Sequence, residues 1–95
     1  MIVERMTFKE KPGRTAEAVK MLQDSWKWPG LPMITHRIYR TISGKFDEII
    51  QELEFEDFEA RDKFWADVPW SPEFMEKWVA LGDSGGSREF LTLVE

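Results

Sequence analysis

Apolar and polar residues alternate from position 2 to 9, with Ile2, Glu4, Met6 and Phe8 on one face and Val3, Arg5 and Thr7 on the other. Side chains two apart share a face of a strand, so the spacing predicts a first strand whose apolar face carries one carboxylate. Lys11-Pro12-Gly13-Arg14 breaks it. From Thr15, a residue suited to capping a helix, Ala16, Val19, Leu22 and Trp26 recur at the spacing of one helical face. Pro29 stops that helix near Trp28, because the residue before proline avoids helical angles, and Trp28-Pro29-Gly30-Leu31-Pro32 reads as a stiff turn.

A second strand is predicted over 33–42, rich in β-branched and aromatic residues, with Ile34, His36, Ile38, Arg40 and Ile42 on one face and Thr35, Arg37, Tyr39 and Thr41 on the other. Ser43-Gly44-Lys45 is short enough for a hairpin turn. The third strand, over 46–56, sets Ile49, Gln51, Leu53 and Phe55 against Glu48, Ile50, Glu52 and Glu54. Asp57 caps a helix that directs Phe58, Phe64, Trp65 and Val68 to one side and ends at Pro69. Ser71-Pro72-Glu73 restarts a helix with a capping serine and a proline in the first turn; Phe74, Trp78 and Leu81 mark its buried stripe, and Gly82 closes it. Asp83-Ser84-Gly85-Gly86 is a flexible connector, and 87–95 alternates as a last strand. The order β-α-β-β-α-α-β predicts one α+β domain over 1–95, a ferredoxin-like sandwich with its helices on one face of a four-stranded antiparallel sheet. The other face is left bare, which invites a second copy to cover it.

Composition narrows the function. The chain has 95 residues, 42% hydrophobic and 33% charged, enough apolar content to fold. A chain of this size buries only roughly 60–65% of the surface its unfolded form exposes, so self-association would help. Thirteen basic against eighteen acidic residues give a net charge of -5, which disfavours nucleic acid and anionic membrane as partners. No cysteine is present, so thiolate catalysis and disulfides are excluded, and one histidine makes a protein-built metal site improbable. Position 1 onward shows no basic start followed by an apolar run, and no stretch approaches a membrane span, which gives the expectation of a cytoplasmic protein.

Three patterns carry a resemblance: Lys11-Pro12-Gly13-Arg14 after the first strand, Gln51-Glu52-Leu53-Glu54-Phe55-Glu56-Asp57 at the strand-to-helix step, and Glu59-Ala60-Arg61 through Ser71-Pro72-Glu73-Phe74. Together they resemble the dimeric α+β barrel superfamily, nearest its NIPSNAP-like and antibiotic-biosynthesis-monooxygenase-like members. The resemblance implies that two sheets from two chains close into a barrel and that a small ligand sits between each sheet and its helices. It also implies chemistry drawn from cofactor-independent monooxygenases, haem-degrading enzymes, lactone isomerases and polyketide cyclases, or a stress-response role. Haem-degrading relatives carry an asparagine in the first strand, a tryptophan in the second helical region and a haem-ligating histidine soon after. Glu4 and Trp78 stand at the first and last of these positions and Trp65 is only approximately placed, so no cofactor is expected.

The exceptions on the apolar strand faces are the candidate chemistry. Glu4, His36 and Gln51 each interrupt an apolar face and would point into one aromatic-lined space near Trp65 and Trp78, as a few polar groups do in a small-molecule pocket. His36, with an ordinary pKa near neutrality, is the candidate general base, and Glu4, desolvated by its neighbours, is a candidate to share its proton. Arg40, on the face of His36, is an alternative partner for Glu4 and joins Gln51, Trp65 and Trp78 as candidate ligand-binding residues. On the opposite face Glu48, Glu52 and Glu54 lie near Arg5, with Arg37 and Tyr39 across the hairpin, a pattern that suits ion pairs within a barrel lumen. The expected ligand is a small apolar or aromatic molecule. A cofactor-free monooxygenase or isomerase, a non-catalytic ligand-binding dimer and a protein-interaction module are the three readings this leaves.

Overall fold

The computed structural model describes residues 1–25, 33–68, 70–83 and 86–94. The elements are β1 (Ile2–Lys9), α1 (Thr15–Ser25), β2 (Thr35–Arg40), β3 (Glu48–Phe55), α2 (Phe58–Asp67), α3 (Pro72–Leu81) and β4 (Ser87–Leu91). The strands form an antiparallel sheet in the order β2-β3-β1-β4. This is the ferredoxin-like α+β architecture that the order of elements predicts. Among the described residues no helix is long and apolar enough to cross a membrane.

Period-two alternation decides what is inside. Ile49, Gln51, Leu53 and Phe55 of β3 are buried, while Glu48, Ile50, Glu52 and Glu54 stay partly open. The buried side meets the helices in two clusters. Met6, Leu53, Phe55 and Phe64 pack under α2; Ala18, Leu22, Ile49 and Leu81 pack under α1 and α3. Each large side chain shut from water in this way contributes about 1.5–3 kcal/mol.

Both predicted caps are made. Asp57 accepts a hydrogen bond from the Ala60 N–H at 2.9 Å, and Ser71 accepts one from the Phe74 N–H at 3.0 Å ahead of Pro72. Each satisfies an otherwise orphaned helix donor, worth about 1 kcal/mol. Gly82 closes α3 in an extended conformation, its N–H donating to the Val79 carbonyl, so its left-handed freedom is not used.

Four local expectations differ from the structure. Thr15 is the first residue of α1, and its hydroxyl donates to Asp47 Oδ1 at 3.0 Å instead of capping. The buried stripe of α1 is Thr15, Ala18, Leu22 and Ser25, with Ala16 exposed, because small residues allow the helix to sit close over Ile49. The connection between β2 and β3 occupies positions 41–47, longer than a tight hairpin, with Gly44 and Asp47 both at positive φ and Ile42 fully exposed. Phe58 is 52% exposed and meets Phe90 edge-on at 5.3 Å. It is the first residue of α2, seven positions before Trp65 and on the same side, but at the helix start it meets β4 through Phe90 and stays half-open. The expectations for Trp26, for the turn from Trp28 to Pro32, for Pro69, and for the middle of the Asp83–Gly86 connector lie outside the described residues.

Candidate functional site

Glu4 points from β1 towards the helices and is fully buried. A carboxylate there is tolerable only with donors around it, and the fold brings three side chains. Trp65 Nε1 donates to Oε1 at 2.7 Å, Arg61 donates to Oε1 at 3.4 Å and to Oε2 at 3.0 Å, and Arg88 Nε reaches Oε2 at 3.0 Å. Each oxygen therefore accepts two contacts. Arg61 spans to the exposed Asp62 at 3.1 Å and lies over the Phe90 ring, and the Glu4 hydrogen bond holds its guanidinium more firmly protonated. Arg88 lies over Trp65, 5.9 Å from the ring centroid. The cluster ties β1, α2 and β4 together.

His36 lies on the same side of the sheet, two strands away. It pairs across the sheet with Leu53, which pairs in turn with Glu4, so an apolar side chain separates the two by roughly 10 Å between backbones. The structure thus does not bring His36 and Glu4 together. The neighbour of His36 is Gln51, whose Nε2 stands 3.2 Å from His36 Nε2. The Gln51 amide and the imidazole are thus hydrogen-bond partners across β2 and β3. Burial lowers the imidazole pKa to about 4, so the ring stays neutral across the physiological range.

Trp65 belongs to a run of rings. Phe55, Phe64, Trp65, Trp70, Phe74, Trp78 and Phe8 follow one another with centroids 4.9 to 6.5 Å apart, which joins α2 to α3 and back to β1. Such contacts contribute about 0.5–1.5 kcal/mol each beyond the area they bury. An apolar cleft of about 410 Å³ opens beside this run between α1 and α3, where Met21, Ser25, Trp70, Phe74 and Lys77 line it. Trp78 borders a different cleft, with Phe8 and Glu10. Arg40 lines a third, along the β2–β3 connection, and does not meet Glu4. None of these three clefts is walled by Glu4, His36, Gln51 or Trp65.

Two of the side chains that hold Glu4, Arg61 and Arg88, were not picked out from the sequence, although their positions carry a signal. Arg61, Phe64, Trp65 and Val68 stand at i, i+3, i+4 and i+7, the stripe that faces the sheet. Arg88 and Phe90 pair across the strands with Met6 and Glu4 and so share their face of the sheet. Among the described residues no group of three or more potential ligands is placed to hold a metal ion.

No family model matches the chain, and no curated protein does. Solved structures do. An uncharacterised NIPSNAP domain protein from Burkholderia xenovorans superposes with a TM-score of 0.76 at 20% identity, covering 99% of this chain and 95% of that one. An antibiotic biosynthesis monooxygenase superposes at 0.75 with 14% identity over 100% of both chains. SnoaB, a cofactor-independent oxygenase from Streptomyces nogalater, superposes at 0.70 with 16% identity, covering 99% of this chain and 93% of that one. The chain therefore has the ferredoxin-like fold of NIPSNAP domain proteins and of antibiotic biosynthesis monooxygenase, and at these identities the likeness is one of fold.

Proposed function

We propose that this chain acts as a homodimer, joined through its open sheet face, that holds a small apolar or aromatic molecule on the helix side of the sheet, where the cleft between α1 and α3 offers apolar walls. One observation carries the dimer. On the face away from the helices, Arg37, Glu52, Arg5 and Glu89 stand opposite one another across all four strands. Arg5 and Glu52 already pair at 2.7 Å. The row reads plus, minus, plus, minus. A two-fold axis running along the strands reverses the row, so that each arginine of one copy faces a glutamate of the other. An axis running across the strands would set Arg37 on Arg37, and like charges oppose that arrangement. Val3, Ile50, Tyr39 and Leu91 flank the row with apolar surface for the contact.

The chemistry follows the neighbours' oxygenase descriptions and rests on His36. In this reading the neutral imidazole accepts a proton from an acidic position on a bound aromatic molecule, which leaves a carbanion or enolate to react further. A base with a conjugate-acid pKa of about 4 reaches only protons already made acidic by the substrate. Glu4, with both oxygens occupied, fixes Trp65. The non-catalytic reading is favoured by two observations: none of the clefts described above is lined by His36, and Gln51 already engages its Nε2.

Charge reversal tests the dimer. Arg37 and Glu89 sit on opposite edges of one sheet, so they meet only between copies. Sedimentation equilibrium should show a dimer, at least tenfold weaker association for Arg37→Glu, and restored association when Glu89→Arg is added. A monomer, or a double variant weaker than either single one, would sink the arrangement. For the ligand, 2-naphthol should quench tryptophan fluorescence on binding, with Trp70 in the cleft wall, and His36→Ala should weaken that binding only under the catalytic reading; no quenching at all removes the ligand half of the proposal.

A further inference from the structure

Just beyond β1 a second carboxylate is buried under quite different conditions. Glu10 is 1% exposed and its Oε2 has no hydrogen-bond partner. Burial pushes the carboxyl above its ordinary range. Its backbone is held from three directions. The Glu10 N–H donates to the Asp47 carbonyl at 2.8 Å, Glu10 forms a bridge with Gly82, and the next N–H, of Lys11, donates to the Leu81 carbonyl at 2.9 Å. The strand end is therefore fixed in place around the buried side chain. A buried acceptor without a donor costs free energy that a bound donor would recover.

Glu10 forms part of the wall of a cleft of about 690 Å³ at the end of the sheet. Asp47, Glu48 and Asp83 add carboxylates to that wall, and Lys9 and Lys45 add cations. Lys9 and Glu48 stand opposite each other in the β1–β3 register and offset one another. The remainder is a surplus of negative charge around Glu10. Phe46, 87% exposed, offers a bare ring on the same wall. Asp47 is held at φ 57°, a conformation non-glycine residues seldom adopt, with the Thr15 hydroxyl on its Oδ1. These carboxylates are not grouped as metal ligands. An ammonium group asks for less: two or three acceptors at hydrogen-bond distance and a hydrophobic surface for the carbon attached to it.

We propose that this cleft binds a small primary amine, its ammonium donating to Glu10 beside the Asp47 and Asp83 carboxylates and its apolar part lying against Phe46. Binding places a positive charge next to a carboxyl whose titration burial moves upward. Where the carboxyl still holds its proton it releases it as the amine enters, so affinity rises with pH up to the point where Glu10 is ionised without help. Lys9 and Lys45 oppose the cation, while Asp47, Glu48 and Asp83 assist it.

Calorimetric titration of the intact chain with 2-phenylethylamine tests this, with 2-phenylethanol as the uncharged analogue. The amine should bind at least tenfold more tightly than the alcohol, with heats that depend on the ionisation enthalpy of the buffer because a proton is released. Glu10→Gln should weaken the amine at least tenfold and abolish the buffer dependence. Lys45→Glu, in an exposed turn where folding is not at stake, should tighten it about threefold. Equal binding of amine and alcohol overturns the proposal, as does an amine affinity that ignores Lys45→Glu. Should Glu10→Gln fail to fold, those two outcomes still decide.

Discussion

Glu4 lies within β1 and Glu10 just past its end, both shut from solvent, and the protein treats them in opposite ways. Glu4 receives donors from three side chains on two other elements. Glu10 is pinned by its backbone, and its Oε2 is left without a donor. The same depth of burial thus yields a structural clasp at one end of the strand and an unmet acceptor at the other. What separates them is the neighbouring helix face. Arg61 stands on the inward stripe of α2 above Glu4, whereas Glu10 lies beneath Leu81 and Gly82 at the spent end of α3. Burial alone says little about a carboxylate's role; its donors say most of it.

Removing Glu4 should have the largest effect. Glu4→Ala strips the carboxylate from one arginine that is four-fifths covered and one that is half-exposed, and should cost about 3–5 kcal/mol in urea denaturation. A loss under about 1 kcal/mol would erase the contrast with Glu10. His36 sharpens the contrast through pH. Its folded-state value of about 4 lies below the ordinary 6.5, so the unfolded chain takes up the proton first as pH falls. Stability from this residue is complete above pH 6.5 and declines through the interval down to about pH 4. After discounting for partial exposure the decline is about 1–2 kcal/mol. Thermal melts of His36→Asn should lose that slope. Glu10 has the reverse sign and the smallest expected effect. Its raised value means the folded state keeps the proton longer, so its contribution is complete below the ordinary carboxylate range and declines as pH rises through the raised value. Glu10→Gln should remove that decline and change stability by no more than about 1 kcal/mol at pH 7. A loss comparable to that of Glu4→Ala would reveal a donor the wild type depends on.

Most of the architecture was legible because a sheet writes its faces into the sequence at period two. Ile2, Glu4, Met6 and Phe8 against Val3, Arg5 and Thr7, and Ile49 to Phe55 against Glu48 to Glu54, predicted which residues would be inside. Asp57 and Ser71-Pro72 predicted where α2 and α3 begin. The helix faces were harder. α1 buries Thr15 and Ser25, which carry no apolar signal, and Phe58, which spacing puts beside Trp65, is half-exposed because it sits at the first position of α2 against Phe90. The candidate site was legible as a set of inward polar residues, not as a constellation. Position on a face does not reveal that Leu53 stands between His36 and Glu4, nor that two arginines on other elements arrive first. Glu10 was invisible for a related reason. It lies one residue past β1, where only the tertiary crossing of Gly82 and Asp47 decides what the side chain meets.

The four-residue charge row has a consequence for which chains can assemble with which. A row that alternates and has an even number of members is its own complement when reversed. A relative whose row began with glutamate and ended with arginine would also pair with itself, yet every contact between the two kinds would set like against like. Two such proteins, identical in shape and made in one compartment, would sort into separate pairs without any difference in their buried interiors.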